Sequence, residues 1–269
     1  MTKLYPYQKE GVLGIDDFDG RVLLADSMGL GKTIQALTWI RRFRKSRRTL
    51  PAIVVCPASL KWNWRREALQ HIGMESIVLE GMTPPQLSKS SRTFEGAQII
   101  IINYDILKPW LPLLRAIRPK TIVLDECAAV KNRRTLRSKS VRKLCRRVPY
   151  VLALSGTPLT NLPAELWNVL NLLRPDLYPA FFPFAMAHCG ARKTPWGWEY
   201  KGATKLDILH KRLKKTMMIR RLKKDVLKDL PDKSRHVFPI QLSQEAREEY
   251  REAEDDFIKW LRKKHPSRS

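Results

Sequence analysis

The chain lacks the features that define several large protein classes. It has four cysteines, Cys56, Cys127, Cys145 and Cys189, and no two stand in C-x-x-C spacing. That spacing excludes the common zinc frameworks and a disulfide-built fold, and leaves reduced, mostly buried thiols as the expectation. Its five histidines form no H-E-x-x-H arrangement, so the adjacent His188-Cys189 pair is expected to pack rather than to ligate. No apolar run approaches the ~20 residues that a membrane-crossing helix requires. The N-terminal Met-Thr-Lys-Leu-Tyr-Pro-Tyr-Gln carries no apolar core of a signal peptide. The expectation is an intracellular protein with no membrane partner.

Acidic residues are also scarce. Asp and Glu number 26 against 51 Lys and Arg, giving a net charge of +25 and an isoelectric point near 10.2, with the excess spread along the whole chain. A soluble domain more commonly carries a net charge of about 2–8 in magnitude. Such a field favours a polyanion, most simply nucleic acid, with an anionic membrane surface as the other candidate, and makes binding steeply salt-dependent. Hydrophobic residues make up 43% of 269, enough for one large domain or two small ones.

Short apolar runs mark the organisation. Val22–Leu24, Ala52–Cys56, Ile99–Ile102, Thr121–Leu124 and Tyr150–Leu154 alternate with longer helical or basic stretches, which is the spacing of βα repeats. The fold class is therefore α/β, a mostly parallel sheet flanked by helices, with functional loops at the C-terminal ends of its strands. From about residue 160 the strand rhythm stops. Residues 162–240 read as a helical extension broken by prolines and by the aromatic turn Pro195-Trp196-Gly197-Trp198-Glu199-Tyr200. In residues 241–269, Ala246, Tyr250, Phe257 and Leu261 recur at helical spacing behind a Ser243 cap. The run Arg41 to Arg48 reads first as a solvated helix end and second as a nucleic-acid patch.

Arg21-Val22-Leu23-Leu24 leads directly into Ala25-Asp26-Ser27-Met28-Gly29-Leu30-Gly31-Lys32-Thr33. A strand that empties into such a loop can hold a nucleoside triphosphate. Gly29 and Gly31 let backbone N–H groups close around phosphate oxygens, Lys32 brings a point charge, and the Thr33 hydroxyl can bind Mg²⁺. Ile34, Leu37 and Ile40 then begin a helix whose positive end faces the anion. The strict pattern would place glycine where this chain has Asp26, and a plain structural turn is the alternative. Further along, the buried-type run Thr121-Ile122-Val123-Leu124 ends in Asp125-Glu126. Asp125 is assigned to the metal and Glu126 to the base that orients or deprotonates water, with a solvated acidic turn as the alternative.

The loop Asp26–Thr33, the segment Val55-Cys56-Pro57-Ala58-Ser59-Leu60-Lys61-Trp62-Asn63-Trp64, the pair Asp125-Glu126 and the stretch Leu154-Ser155-Gly156-Thr157-Pro158-Leu159-Thr160-Asn161 occur in the order shown by superfamily-two helicase-like ATPases. More narrowly, the chain resembles the Swi/Snf family of double-stranded DNA translocases. Tyr5-Pro6-Tyr7-Gln8-Lys9-Glu10-Gly11-Val12 is similar to that family's adenine-reading Gln motif. Arg220-Arg221-Leu222-Lys223-Lys224-Asp225-Val226 with Leu230-Pro231 is similar to its signature at the end of the first lobe. Pro163-Ala164-Glu165-Leu166 and Pro195-Trp196-Gly197-Trp198 are similar to the annealing-helicase, HepA-related branch, which rewinds forked DNA. For Trp196 and Trp198, a packed aromatic cluster and a DNA-fork contact stand as alternatives.

The resemblance implies a RecA-like, P-loop NTPase lobe (residues 1–161) that uses ATP and Mg²⁺ and acts on double-stranded, possibly forked, DNA. Gln8 would bond the adenine, and Met28, Gly29, Leu30, Gly31, Lys32, Thr33 and Ile34 would enclose the phosphates. Thr33 and Asp125 would hold Mg²⁺, with Lys32 and Glu126 as the catalytic pair. Lys61, Asn103 and Thr157 would lie on the DNA backbone, where phosphate contacts position the protein rather than read sequence. Ser155, Gly156 and Thr157 would couple nucleotide state to DNA grip, although Thr157 also reads as a turn-former.

Two departures bear on activity. The family's Asp-Glu-Ala-His is Asp125-Glu126-Cys127-Ala128 here, so an alanine replaces the residue that relays the γ-phosphate state. The family also builds its ATP site between two lobes, and the second supplies arginine fingers worth about 10³–10⁵ in rate in related NTPases. The expectation is the first lobe of a DNA-dependent ATPase whose second lobe comes from another polypeptide or was lost by truncation. A non-hydrolysing ATP- and DNA-binding module, or a competitor of a full-length motor, is the alternative. A small-molecule kinase leaves the segments around Pro57 and Ser155 without a purpose.

Overall fold

The computed structural model describes residues 2–85, 94, 96, 98–157, 162–226 and 243–264. Two compact units divide the chain, residues 1–228 and residues 229–269.

The first unit is built on seven parallel strands: β1 (Arg21–Leu24), β2 (Ala52–Cys56), β3 (Ser76–Val78), β4 (Ile99–Asn103), β5 (Thr121–Leu124), β6 (Tyr150–Leu154) and β9 (Met218–Ile219). Their order across the sheet is β3-β4-β2-β5-β6-β1-β9. Period-two alternation of fully apolar strands divides the core into two layers, as a sheet covered on both faces requires. Leu23, Ile53, Val55, Ile100, Ile122, Leu124 and Val151 pack on one side; Val22, Leu24, Val54, Ile99, Ile101, Val123 and Leu152 pack on the other. The second layer is covered by α1 (Pro6–Asp17), α2 (Lys32–Arg42) and α3 (Lys61–Ile72) through Ile15, Leu37, Trp39 and Trp64. The first layer is covered by α4 (Leu107–Ala116), α5 (Leu136–Cys145), α6 (Pro163–Leu173), α7 (Phe181–His188) and α8 (Leu206–Thr216). All four cysteines are free and buried, and burial pushes the Cys56, Cys127 and Cys145 thiols up to about 12 and Cys189 to about 11. His188 packs on the Phe184 ring at 5.2 Å rather than forming a metal site.

Five strands coincide with the apolar runs of the sequence to within one residue. Two others do not announce themselves there, because three residues at β3 and two at β9 are too few to show a period. The return of β9 corrects the expectation that strands cease after residue 160. The N–H groups of Leu23 and Ala25 donate to the carbonyls of Met217 and Ile219, both at 2.7 Å, and tie the extension to the edge of β1. The aromatic turn is the bend of an antiparallel hairpin, β7 (Arg192–Thr194) with β8 (Gly197–Glu199). Pro158–Asn161 and Leu230-Pro231 lie outside the described residues.

In the second unit a single helix runs Gln244–Lys264, and the Ala246 N–H donates to the Ser243 hydroxyl at 3.3 Å as the expected cap. Tyr250 and Phe257 are exposed on it, and the side chain of Leu261 lies outside the described residues.

Candidate nucleotide site

The site forms where β1, β5 and β6 end on the same edge of the sheet. After Leu24 the backbone must reverse into α2 within a few residues, and it does so with φ +82° at Gly29 and +73° at Gly31. Gly31 is the N-cap of α2, and a Cβ there would stand 2.5 Å from the Gln8 amide nitrogen. Only glycine combines that left-handed backbone with that approach. The helix has no side-chain cap and no acid in its first turn. Its leading N–H groups and its positive end are thus turned toward the loop, which is the arrangement that takes a phosphate.

Lys32, half-buried in the loop, donates to the Asp26 carbonyl at 3.0 Å. Burial lowers its pKa, opposed by the charges of Glu126, Asp26 and Asp125. Asp125 follows the last residue of β5. Its carboxylate accepts from the Trp64 indole at 2.8 Å and from the Glu126 N–H at 3.0 Å. Burial raises its pKa, while those two bonds and the Lys32 charge pull it down. Glu126 holds a left-handed backbone, φ +46° and ψ +56°, and among the described residues its carboxylate has no hydrogen bond or ion pair. Its pKa is raised first by burial and then by Asp125, and Lys32 opposes the shift. A non-glycine residue in this region is a strained arrangement of the kind that collects at functional sites.

Ser155 enters from the end of β6, its N–H bonded to the Leu24 carbonyl at 3.2 Å, and the Thr157 N–H donates to the Ser155 hydroxyl at 3.2 Å. Gly156 lies against the loop: a Cβ on it would stand 2.6 Å from Met28 Cγ and 3.6 Å from Lys32 Nζ. Gln8, on α1, accepts from the Tyr5 N–H at 3.0 Å and donates to the Leu30 carbonyl at 3.4 Å. Gln8, the loop through Ile34, Asp125, Glu126, Ser155 and Gly156 therefore converge.

The three residues that the resemblance placed on DNA differ among themselves. Thr157 is exposed, whereas Lys61 and Asn103 are buried at the ends of β2 and β4. The Lys61 ammonium turns inward, donating to the Leu79 carbonyl at 3.0 Å and lying 3.7 Å from Glu80. Trp196 is 97% exposed at the hairpin bend, which removes the packed-cluster alternative for that ring; Trp198 lies edge-on to Phe182 at 5.0 Å.

Sequence reasoning missed Arg221. Its guanidinium pairs with the fully buried Asp26, Nη2 to Oδ2 at 2.5 Å and Nε to Oδ1 at 3.1 Å, and its own N–H donates to Oδ1 at 2.9 Å. Nη2 also donates to Gln35 Oε1 at 2.7 Å, and Nη1 to the Tyr7 carbonyl. The signal was present as an aspartate in a glycine position together with an Arg-Arg pair that had no assigned role.

The chain matches the SNF2-related domain over residues 7–267. It is 36% identical over 239 residues to the SWI/SNF-related matrix-associated actin-dependent regulator of chromatin subfamily A-like protein 1 of Xenopus tropicalis, covering 89% of this chain and 24% of that one. It is 31% identical over 269 residues to the human DNA annealing helicase and endonuclease ZRANB3, covering 97% and 24% respectively. Among solved structures, the Sulfolobus solfataricus SWI2/SNF2 ATPase core in complex with dsDNA superposes with a TM-score of 0.67 at 29% identity, over 86% of this chain and 47% of that chain. The chain thus spans about a quarter of the length of these curated relatives.

Proposed function

The chain belongs to the SNF2-related family, and on that premise we propose that it is the first RecA-like lobe of an ATP-dependent double-stranded DNA translocase or remodelling ATPase. The observation that carries the proposal is the meeting of Lys32, Asp125 and Glu126 at the uncapped start of α2. These residues suit ATP–Mg²⁺ in chemistry as well as place. The glycine loop presents N–H donors to phosphate, and Lys32 adds a cation. Among the described residues no three His, Cys, Asp or Glu side chains group to hold a metal on their own. One carboxylate, one hydroxyl and the substrate's phosphates are the usual ligand set for Mg²⁺, which assigns Asp125 and Thr33 to it.

Bound ATP–Mg²⁺ supplies the transferable phosphoryl group and the charge that offsets its oxygens. The residues of the chain do the rest. Gln8 and the segment Met28 to Ile34 hold and orient the nucleotide. Glu126, with its raised pKa and unpaired carboxylate, stands ready to take a proton from water. Ser155-Gly156-Thr157 bears on Met28 and Lys32 at one end and is exposed at Thr157, so it can transmit a change at the loop to the DNA backbone. Lys61 and Asn103 shape that strand-end surface from beneath. Trp196 supplies a free ring for an unpaired base at a fork.

Efficient turnover is proposed to need the arginines of a second lobe, and the site of action is intracellular, where DNA is found. Ala128, on the Cys127–Val130 turn, favours a second reading in which ATP is a structural ligand and the chain binds DNA without hydrolysis. The deciding experiment is ATP hydrolysis at low salt, with and without duplex DNA, beside Lys32→Ala. DNA-stimulated turnover that Lys32→Ala abolishes shows a self-sufficient lobe. Nucleotide binding without turnover supports half a motor, and absence of nucleotide binding overturns the proposal.

A further inference from the structure

The Arg41–Arg48 run plays no part in the nucleotide site, because it leads to the opposite edge of the sheet. β2, β5 and β6 are adjacent and parallel, so the loops that enter them share the edge farthest from Gly29, Asp125 and Ser155. Backbone bonds tie these loops together. The Lys120 N–H donates to the Pro51 carbonyl at 2.8 Å, the Tyr150 N–H to the Lys120 carbonyl at 3.1 Å, and the Tyr150 hydroxyl to the Arg47 carbonyl at 2.8 Å. Each loop bends at an arginine in the left-handed region: Arg48 at φ +51°, Arg118 at +51° and Arg147 at +67°.

A cleft of about 450 Å³ opens between the second and third loops. Arg115, Arg118, Lys120, Arg146 and Arg147 line it, all five exposed, and no carboxylate stands in its wall. Arg47 nearby is neutralised by Asp16 at 2.6 Å and Asp19 at 3.2 Å, but none of the ion pairs among the described residues includes any of these five. Unpaired like charges gathered in a concave wall raise the local potential and concentrate a polyanion. The exposed large apolar side chains all lie elsewhere, so the edge has nothing to insert into a lipid surface. Cations carried on three loops, about one strand spacing apart, suit a continuous line of phosphates better than one free anion.

We propose that this edge is a second binding surface for the phosphate backbone of duplex DNA, separate from the strand-end surface around Thr157. The proposal rests on the reading of the chain as a DNA-acting lobe. It gives the basic loops a purpose that the nucleotide site does not. A lobe with two such surfaces can hold two duplex segments, as when a fork or a bend brings two arms together.

The test is anisotropy of a fluorescent duplex titrated with the full chain across a salt series. The triple variant Arg118→Gln, Lys120→Gln, Arg147→Gln is compared with Lys211→Gln, Lys214→Gln, Lys215→Gln, which removes the same charge from the exposed face of α8. The expected result is at least a tenfold loss of affinity in the first triple, with a log–log salt slope shallower by about 2.7, at ~0.9 per lost phosphate contact. The second triple keeps the wild-type slope, and a fluorescent ATP analogue binds all three proteins alike. Equal losses in both triples, or none in the first, overturn the proposal while leaving the DNA reading intact. Loss of binding to phosphatidylserine vesicles in the first triple, with duplex binding unchanged, also overturns it. A wild-type chain that binds the ATP analogue but no duplex overturns both.

Discussion

Asp26 and Arg221, 195 residues apart in the chain, form an ion pair whose carboxylate is fully buried beneath the nucleotide loop. The pair joins the start of the loop to the strand-and-turn segment that leaves the sheet, and through the Tyr7 carbonyl and Gln35 it reaches α1 and α2 as well. Arg220 adds a bond from its guanidinium to the Ala25 carbonyl at 3.2 Å. Asp26 is therefore a structural anchor, which explains an aspartate where the strict phosphate-loop pattern has glycine.

Asp26→Gly, which restores that pattern, is expected to weaken the protein rather than improve it. It leaves the Arg221 guanidinium buried without its counter-charge, a change that costs about 3–5 kcal/mol. Urea denaturation measures the loss. A change below ~0.5 kcal/mol, the range of ordinary surface substitutions, would show that the pair anchors nothing.

Glu126 and Asp125 make the free protein pH-sensitive. Both folded-state pKa values are raised above their ordinary values of 4.5 and 3.8. Their favourable contribution is thus fully present below those ordinary values and is lost as pH rises through the raised ones. Glu126→Gln removes one such group. The variant is expected to be more stable than the wild type at neutral pH, to flatten the acid side of the stability profile, and to lose hydrolysis. Thermal denaturation across the acid range checks it, and an unchanged profile would count against the assignment.

Gly156→Ala places a methyl group 2.6 Å from Met28 Cγ. Met28 must move, and with it the loop that holds Lys32. A weaker affinity for an ATP analogue is expected, with the circular dichroism spectrum unchanged. Equal affinity in the two proteins would mean that the Ser155–Thr157 segment does not act on the loop.

Trp196→Ala removes an exposed ring with no packing partner to lose, so stability should change by less than ~0.5 kcal/mol. Affinity for forked DNA with an unpaired arm is expected to fall by about 1–3 kcal/mol, the range for one stacked base, while affinity for blunt duplex stays the same. Parallel loss on both substrates would remove the hairpin from fork recognition.

Much of this architecture was legible as sequence. The runs at Ala52–Cys56, Thr121–Leu124 and Tyr150–Leu154 coincide with strands to the residue, because a strand buried on both faces needs an unbroken apolar segment and little else satisfies that need. The glycine loop and the acid pair were legible for a related reason: each is a short contiguous motif at a strand end, and the parallel sheet brings such ends together. Other features were hidden. β9 is two residues long and owes its existence to the free edge of β1. Lys61 looked like a free cation, but its stem follows α3 into the core and delivers the ammonium to the Leu79 carbonyl.

The sequence by itself determined the fold class, the phosphate-holding loop and the carboxylates that face it, since periodicity and motif spacing act over a few residues and survive in one dimension. Only the tertiary structure decided that Arg221 closes on Asp26, that Lys61 turns inward, and that three separate basic loops form one cationic edge. Each of those depends on which distant segments become neighbours, and that is settled by strand order and by the packing of two buried layers rather than by any local pattern.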